Sequence, residues 1–128
     1  MTTSEHAEQV ALFQLAELHQ AQYPELEFLF AIPNGGHRYK AVAAKMKSEG
    51  VKSGVPDICL PVMSIQWGIG GTYYNALYIE MKVGKNKPTA NQHHWIDGLR
   101  KLGNRVEVCY SADEAWNVIL DYLGYERR

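Results

Sequence analysis

The stretch Gly54-Val55-Pro56-Asp57-Ile58-Cys59-Leu60, read with Leu77-Tyr78-Ile79-Glu80-Met81-Lys82 further on, decides the fold. Leu77, Ile79 and Met81 alternate with Tyr78, Glu80 and Lys82, which is the period of two of a β-strand, so Glu80 and Lys82 project from one face. Pro56 has no N–H to give to a ladder, so the earlier strand is expected to begin at Asp57, with that carboxylate at the rim of the sheet. If the two strands pair, Asp57 and Glu80 meet. Two carboxylates at a strand end suit Mg²⁺ or Mn²⁺, hard cations that prefer oxygen ligands and retain several waters. Lys82 cannot ligate such an ion, but it is placed to orient or deprotonate a water, or to stabilise charge on a phosphoryl group. The combination points to phosphodiester cleavage.

Working outward gives the order α-β-α-β-β-α-β-α. Ser4 caps an expected helix to about Gln22, in which Glu5, Gln9, Leu12, Phe13 and Ala16 share a face. A strand is expected over 27–32, then a turn at Pro33-Asn34-Gly35-Gly36, and a short basic helix from Tyr39 to Ser48 ended by Gly50. Strands are expected next at 57–63 and 76–83, separated by a glycine-containing loop, Trp67-Gly68-Ile69-Gly70-Gly71, which lacks the spacing of a dinucleotide or P-loop motif. Thr89 caps a helix to Leu102, Val106 to Tyr110 is a strand, and Ser111 caps a final helix to Leu123. Trp95, Leu99 and Leu102 read as core.

Length and composition agree with one domain over residues 1–128. The chain is 46% hydrophobic and has no repeat or low-complexity tract to suggest a second unit. No apolar run approaches the ~20 residues of a membrane span, and the start lacks the charged and apolar regions of a signal peptide, so a soluble cytoplasmic protein without a membrane partner is expected. Cys59 and Cys109 fall short of a disulfide framework and read as buried thiols. The net charge of −1 conceals an asymmetry. Residues 1–33 hold five acids and no Lys or Arg, residues 34–105 hold eleven Lys and Arg against four acids, and residues 106–128 return to five acids against two bases. The positive charge thus surrounds Asp57, Glu80 and Lys82, where phosphates would be gripped.

Pro56-Asp57 with Glu80-Met81-Lys82 resembles the PD-(D/E)xK nuclease signature. Glu5-His6-Ala7-Glu8-Gln9, Pro33-Asn34-Gly35-Gly36, Gly50 to Asp57, and Gln92 before Trp95 extend the likeness, in the order seen in VRR-NUC domains. The resemblance covers nearly the whole chain. It implies an α/β fold with a restriction-endonuclease-like core, a mixed four-stranded sheet flanked by helices. It also implies a Mg²⁺- or Mn²⁺-dependent endodeoxyribonuclease in which Asp57, Glu80 and Glu5 hold metal, with Glu8 competing for the third place. Lys82 and Gln92 would serve at the active site. Stand-alone domains of this kind, of phage or bacterial type, resemble Holliday-junction resolvases, so branched DNA is the expected substrate. The alternatives are a flap or single-strand-specific nuclease of the same fold, and a non-catalytic DNA-binding module.

Asn34, His37, Arg38, Lys40 and Lys52 are the expected DNA contacts, with the glycines beside Asn34 admitting phosphate close to the backbone. His93 and His94 are adjacent on a helix and cannot converge on one ion. A four-way junction has two strands to cut and the chain carries one acidic set, so a C2 homodimer is expected. Trp67, Ile69, Tyr73 and Tyr74 are the candidate interface.

Overall fold

Leu77–Met81 forms the central strand of the fold because every second side chain there is a large hydrophobe that can be buried. The computed structural model describes residues 3–33, 40–66 and 71–124. In chain order they form α1 (Glu5–His19), a 3₁₀ helix (Pro24–Phe28), β1 (Phe30–Ala31), α2 (Lys40–Ser48), β2 (Ile58–Leu60), β3 (Ser64–Gln66), β4 (Thr72–Tyr74), β5 (Leu77–Met81), α3 (Ala90–Lys101), β6 (Arg105–Cys109) and α4 (Ala112–Leu123). The main sheet has the order β1-β2-β5-β6 and is mixed: β1 and β2, and β2 and β5, pair antiparallel, whereas β5 and β6 run parallel across the α3 crossover. A mixed α/β fold with a four-stranded sheet is what the sequence predicts.

Several expectations need correction. The strand expected over 27–32 is shortened: Glu27 and Phe28 end the 3₁₀ helix that Pro24 opens with its φ preset for helix, and only Phe30 and Ala31 are strand. The strand expected over 57–63 stops at Leu60, because Pro61 has no donor for the ladder and the Val62 N–H turns back to the Leu60 carbonyl. Beyond it the chain forms a hairpin of β3 and β4, which the sequence does not predict. The first strand of this hairpin is tied to α4, with the Ser64 hydroxyl donating to the Tyr122 carbonyl and the Tyr122 hydroxyl to the Val62 carbonyl.

The core lies between the sheet and the pair α1 and α4. Leu12 and Ala16 of α1 meet Ala115, Ile119 and Tyr122 of α4 over Ile58, Leu60, Leu77, Ile79 and Met81. Cys59 and Cys109 are free and buried, as the sequence suggests. All three predicted caps form: Ser4, Thr89 and Ser111 each accept from a backbone N–H in the first turn of the following helix. Leu102 is 72% exposed, and Trp95 and Leu99 are only half-buried, so Ile96 alone of α3 reaches full burial. The expected core role of Leu102 is wrong because Gly103, at φ +91°, ends the helix there and turns the chain away. Among the described residues no helix is long and apolar enough to cross a membrane.

Candidate active site

Register puts the two carboxylates together. Ile58 stands opposite Ile79 in the antiparallel ladder, so the next pair along, just outside β2, is Asp57 with Glu80. Asp57 is fixed from both ends: its carbonyl accepts from the Ile32 N–H at 2.7 Å, and its Oδ2 accepts from the Met81 N–H at 2.8 Å. It therefore precedes β2 and does not begin it, and the carboxylate itself stands in for a ladder acceptor. Glu80 and Lys82 share a face, as alternation requires, and both are buried. The Lys82 N–H continues the parallel pairing beyond Met81 by donating to the Cys109 carbonyl at 2.9 Å.

The environment of Glu80 is unusual for a carboxylate. It is 1% exposed, and its Oε2 is buried without a hydrogen-bond partner. Burial pushes its pKa up to about 9, aided by the adjacent Asp57 carboxylate and the charge of Glu5; the Lys82 ammonium pulls the other way and is outweighed. The other oxygen, Oε1, accepts from Gln92 Nε2 at 3.3 Å. That amide is oriented by the helix start itself. Thr89 and Gln92 form a capping box in which the Thr89 N–H donates to Gln92 Oε1 at 2.9 Å, leaving the Gln92 NH₂ to point at Glu80. Gln92 is thus at the site, with Glu80 as its partner.

Glu5 and Glu8 separate cleanly. Glu5 lines a cleft of about 540 Å³ with His6, Gln9, Phe13, Ala31 and Asp57. Glu8 points away: its Oε1 accepts from the Ala112 N–H at 2.9 Å at the start of α4, and its Oε2 accepts from the Thr3 hydroxyl at 2.9 Å. These bonds, the Ala112 one foremost, hold its pKa below the usual carboxylate value. Glu8 is a cap in trans for α4.

The Asp57 and Glu80 oxygens are the donor set expected for a hard divalent ion, and the unpartnered Glu80 Oε2 is an acceptor without a donor. Among the described residues no three His, Cys, Asp or Glu side chains converge closely enough to enclose an ion. The pair would therefore need water, or Glu5 from across the cleft, to complete a shell.

Of the expected DNA contacts, Lys40 opens α2 and is exposed, and Lys52 is exposed beside α3; Asn34, His37 and Arg38 lie outside the described residues. Two other basic residues are engaged structurally, Arg105 with Asp121 at 2.7 Å and with Glu107, and Arg100 with the Val106 carbonyl. His93 and His94 are exposed. Sequence reasoning missed His6, since a lone histidine one residue after Glu5 carries no periodic signal. It also missed the Ser53–Gly54 approach to α3, where Asn91 Nδ2 donates to the Ser53 carbonyl and hydroxyl. Gly54 is at φ +89°, and a Cβ there would lie 2.7 Å from Asn91 Nδ2.

Comparison with known proteins bears on the family and the fold. None of the curated proteins matches the chain. A solved structure described as a VRR_NUC domain protein superposes with a TM-score of 0.77 at 25% identity, covering 97% of this chain and 91% of that one. The VRR-NUC domain profile matches residues 5–113, a span that includes Glu5, Asp57, Glu80, Lys82 and Gln92. With the acidic pair, the lysine beside it and the order of its motifs all inside that match, the chain belongs to the VRR-NUC family of nuclease-type domains.

Proposed function

We infer that this domain is a divalent-metal-dependent endodeoxyribonuclease acting on branched DNA. One observation carries the metal-dependent reading: Glu80 keeps an unpartnered oxygen in a buried position directly against Asp57, which is unfavourable for folding alone and is relieved by a cation. Asp57 and Glu80 would hold Mg²⁺ or Mn²⁺, with Glu5 the third ligand and not Glu8. When bound, such an ion supplies a water activated at neutral pH and Lewis-acid stabilisation of the phosphoryl oxygens.

The chain's own groups do the rest. Asp57 is held by the Met81 N–H so that its position does not depend on a side-chain partner. Gln92 fixes the rotation of the Glu80 carboxylate by donating to Oε1. Lys82, on the same face as Glu80, would carry its ammonium toward the charge that grows on the phosphate and stabilise it electrostatically. Lys40, Lys52, Lys85 and Lys87 are exposed and would contact the DNA backbone, as would Asn34, His37 and Arg38, which lie outside the described residues. Cutting both strands of a junction calls for a homodimer. Its interface is proposed at the β3–β4 hairpin, where Met63, Ile65 and Tyr73 are each about half exposed. Tyr74 is excluded because it packs inward against Tyr122; Trp67 and Ile69 lie outside the described residues.

The test is cleavage of labelled four-way junctions, flaps, single strands and duplex with Mg²⁺ or Mn²⁺, with light scattering on the same samples. Symmetric paired incisions by a dimer support the reading. A monomer that nicks one strand promotes the flap nuclease, and no cleavage of any substrate with either metal refutes the enzyme.

A further inference from the structure

Trp95 is the one large aromatic of α3, and the fold does not bury it. Instead it lines two adjoining clefts, besides a smaller apolar one with His94, Leu99 and Leu102. One, of about 440 Å³, runs between α2 and α3 and is lined by Ala43, Met46, Lys47, Lys52, Ser53 and Asn91. The other, of about 450 Å³, lies toward Ile32, Pro33 and Val55 and shares Val51 and Lys52 with the first. Each is large enough for a small planar ligand. The indole is held in place by its surroundings: a Cβ on Gly54 would come within 3.0 Å of Trp95 Cδ1, and Asn91, one turn before Trp95, is tied to Ser53.

The charge around these clefts has one sign. α2 contains Lys40, Lys45 and Lys47 and no acid, and Lys52 comes soon after it. Among the described residues lining the clefts, Glu49 alone is opposed, on the rim of the second. An aromatic face flanked by lysines on a half-apolar wall matches a nucleobase with its phosphates, since every base has a π-face and stacking is indifferent to sequence. It fits duplex poorly, because paired bases are stacked on each other and present only edges.

The position relative to the acidic pair is also suitable. Trp95 is three residues beyond Gln92 on α3, about 4.5 Å along the helix axis, and Gln92 donates to Glu80. Gly54, against the indole, is three residues before Asp57. A strand whose phosphate reached Asp57 and Glu80 would pass a neighbouring base over Trp95.

We propose that the cleft between α2 and α3 is a stacking subsite for an unpaired nucleobase next to the scissile phosphate, with Trp95 as the platform and Lys47 and Lys52 gripping the flanking phosphates. It rests on the nuclease reading and narrows it: the substrate must expose at least one unpaired or extrudable nucleotide beside the cut.

Binding measured in EDTA separates the two. With fluorescein-labelled oligothymidylate and a blunt duplex of equal length, wild type should prefer the single strand. Trp95→Ala should weaken that binding about 5- to 150-fold while changing duplex affinity less than about twofold, and Trp95→Phe should recover most of the loss. Because Trp95→Ala also removes packing, Lys47→Ala with Lys52→Ala gives a second reading at exposed positions. It should lower the salt slope on the single strand by about 1.4, two phosphate contacts' worth. Equal losses on single strand and duplex, no wild-type preference, or an unchanged salt slope would overturn the subsite. A protein that stacks DNA on Trp95 but cleaves nothing with Mg²⁺ or Mn²⁺ keeps the subsite and loses the nuclease; one that cleaves but binds equally well without Trp95 does the reverse.

Discussion

Replacing Glu80 with Gln should make the metal-free protein more stable at neutral pH while abolishing cleavage. In wild type Glu80 is held protonated up to about pH 9, whereas in the unfolded chain it ionises near 4.5. The folded state therefore binds more protons across that window, so this contribution is complete below the unfolded value and is lost as pH rises toward the folded one. At about pH 7.5 the unfolded state has gained roughly three pH units of ionisation, at about 1.36 kcal/mol each, for a ceiling of about 4 kcal/mol. Water entry and local relaxation reduce it to about 2–4 kcal/mol. Gln resembles the protonated acid in shape, can donate to Asp57 and can accept from Gln92, but does not titrate. Urea unfolding of both proteins in EDTA from about pH 5 to about pH 9 is the assay. Wild type should lose stability relative to Glu80→Gln as pH rises, with the variants closest at the acid end. Added Mg²⁺ should stabilise wild type more at higher pH, because the ion must displace the proton, and should hardly affect Glu80→Gln. Parallel pH profiles for the two proteins, or a variant less stable at neutral pH, would refute the reasoning.

Asp57→Asn should remove cleavage without unfolding the chain, since an amide oxygen can still accept from the Met81 N–H, and near-normal turnover with Mg²⁺ would remove Asp57 from the site. Lys82→Ala should slow single-turnover cleavage about 10²-fold or more with little change in metal affinity; an unchanged rate would exclude it from the mechanism. Glu8→Ala should cost about 0.5–2 kcal/mol by uncapping α4 and leave cleavage per folded molecule unchanged. Its stabilising bond is present above the usual carboxylate pKa and fades as pH falls through its lowered value, so the gap between variant and wild type should close in acid; a loss of metal binding would instead restore Glu8 as a ligand. Gly54→Ala should cost about 1–3 kcal/mol, from a left-handed φ and contact with Asn91, and a thermal melt equal to wild type would contradict it.

Much of this was legible because short-range rules govern it. The alternation in Leu77 to Lys82 identified the central strand and its polar face, and Ser4, Thr89 and Ser111 marked three helix starts that form as read. Pro56 and the apolar run after Asp57 gave the pairing that places Asp57 opposite Glu80. The failures are tertiary. Ser64–Gln66 and Thr72–Tyr74 are strands of three residues each, too short to leave a period to detect. Glu27 to Ile32 has strand-like composition, but Pro24 starts a helical turn first. Trp95 and Leu102 are apolar residues on a helix and read as core, yet whether they are covered depends on where α2 and the Ser53–Gly54 loop come to rest, which no local pattern sets.

The site also departs from what the rest of the chain optimises. Among the described residues the other buried side-chain polar atoms have partners, and nearer the surface the Gln92 amide closes a capping box and Glu8 is shared between Ala112 and Thr3. Glu80 breaks that pattern, buried beside a second acid with one oxygen unpartnered. A leucine at the same register position would extend the Leu77, Ile79 and Met81 core, and a glutamine would satisfy Asp57 without a proton. Four separate segments nevertheless converge on this carboxylate: the loop before β2 through Asp57, α3 through Gln92, α1 through the charge of Glu5, and its own strand through Lys82. Folding energetics alone oppose that convergence, and the divalent ion proposed at Asp57 and Glu80 would offset it.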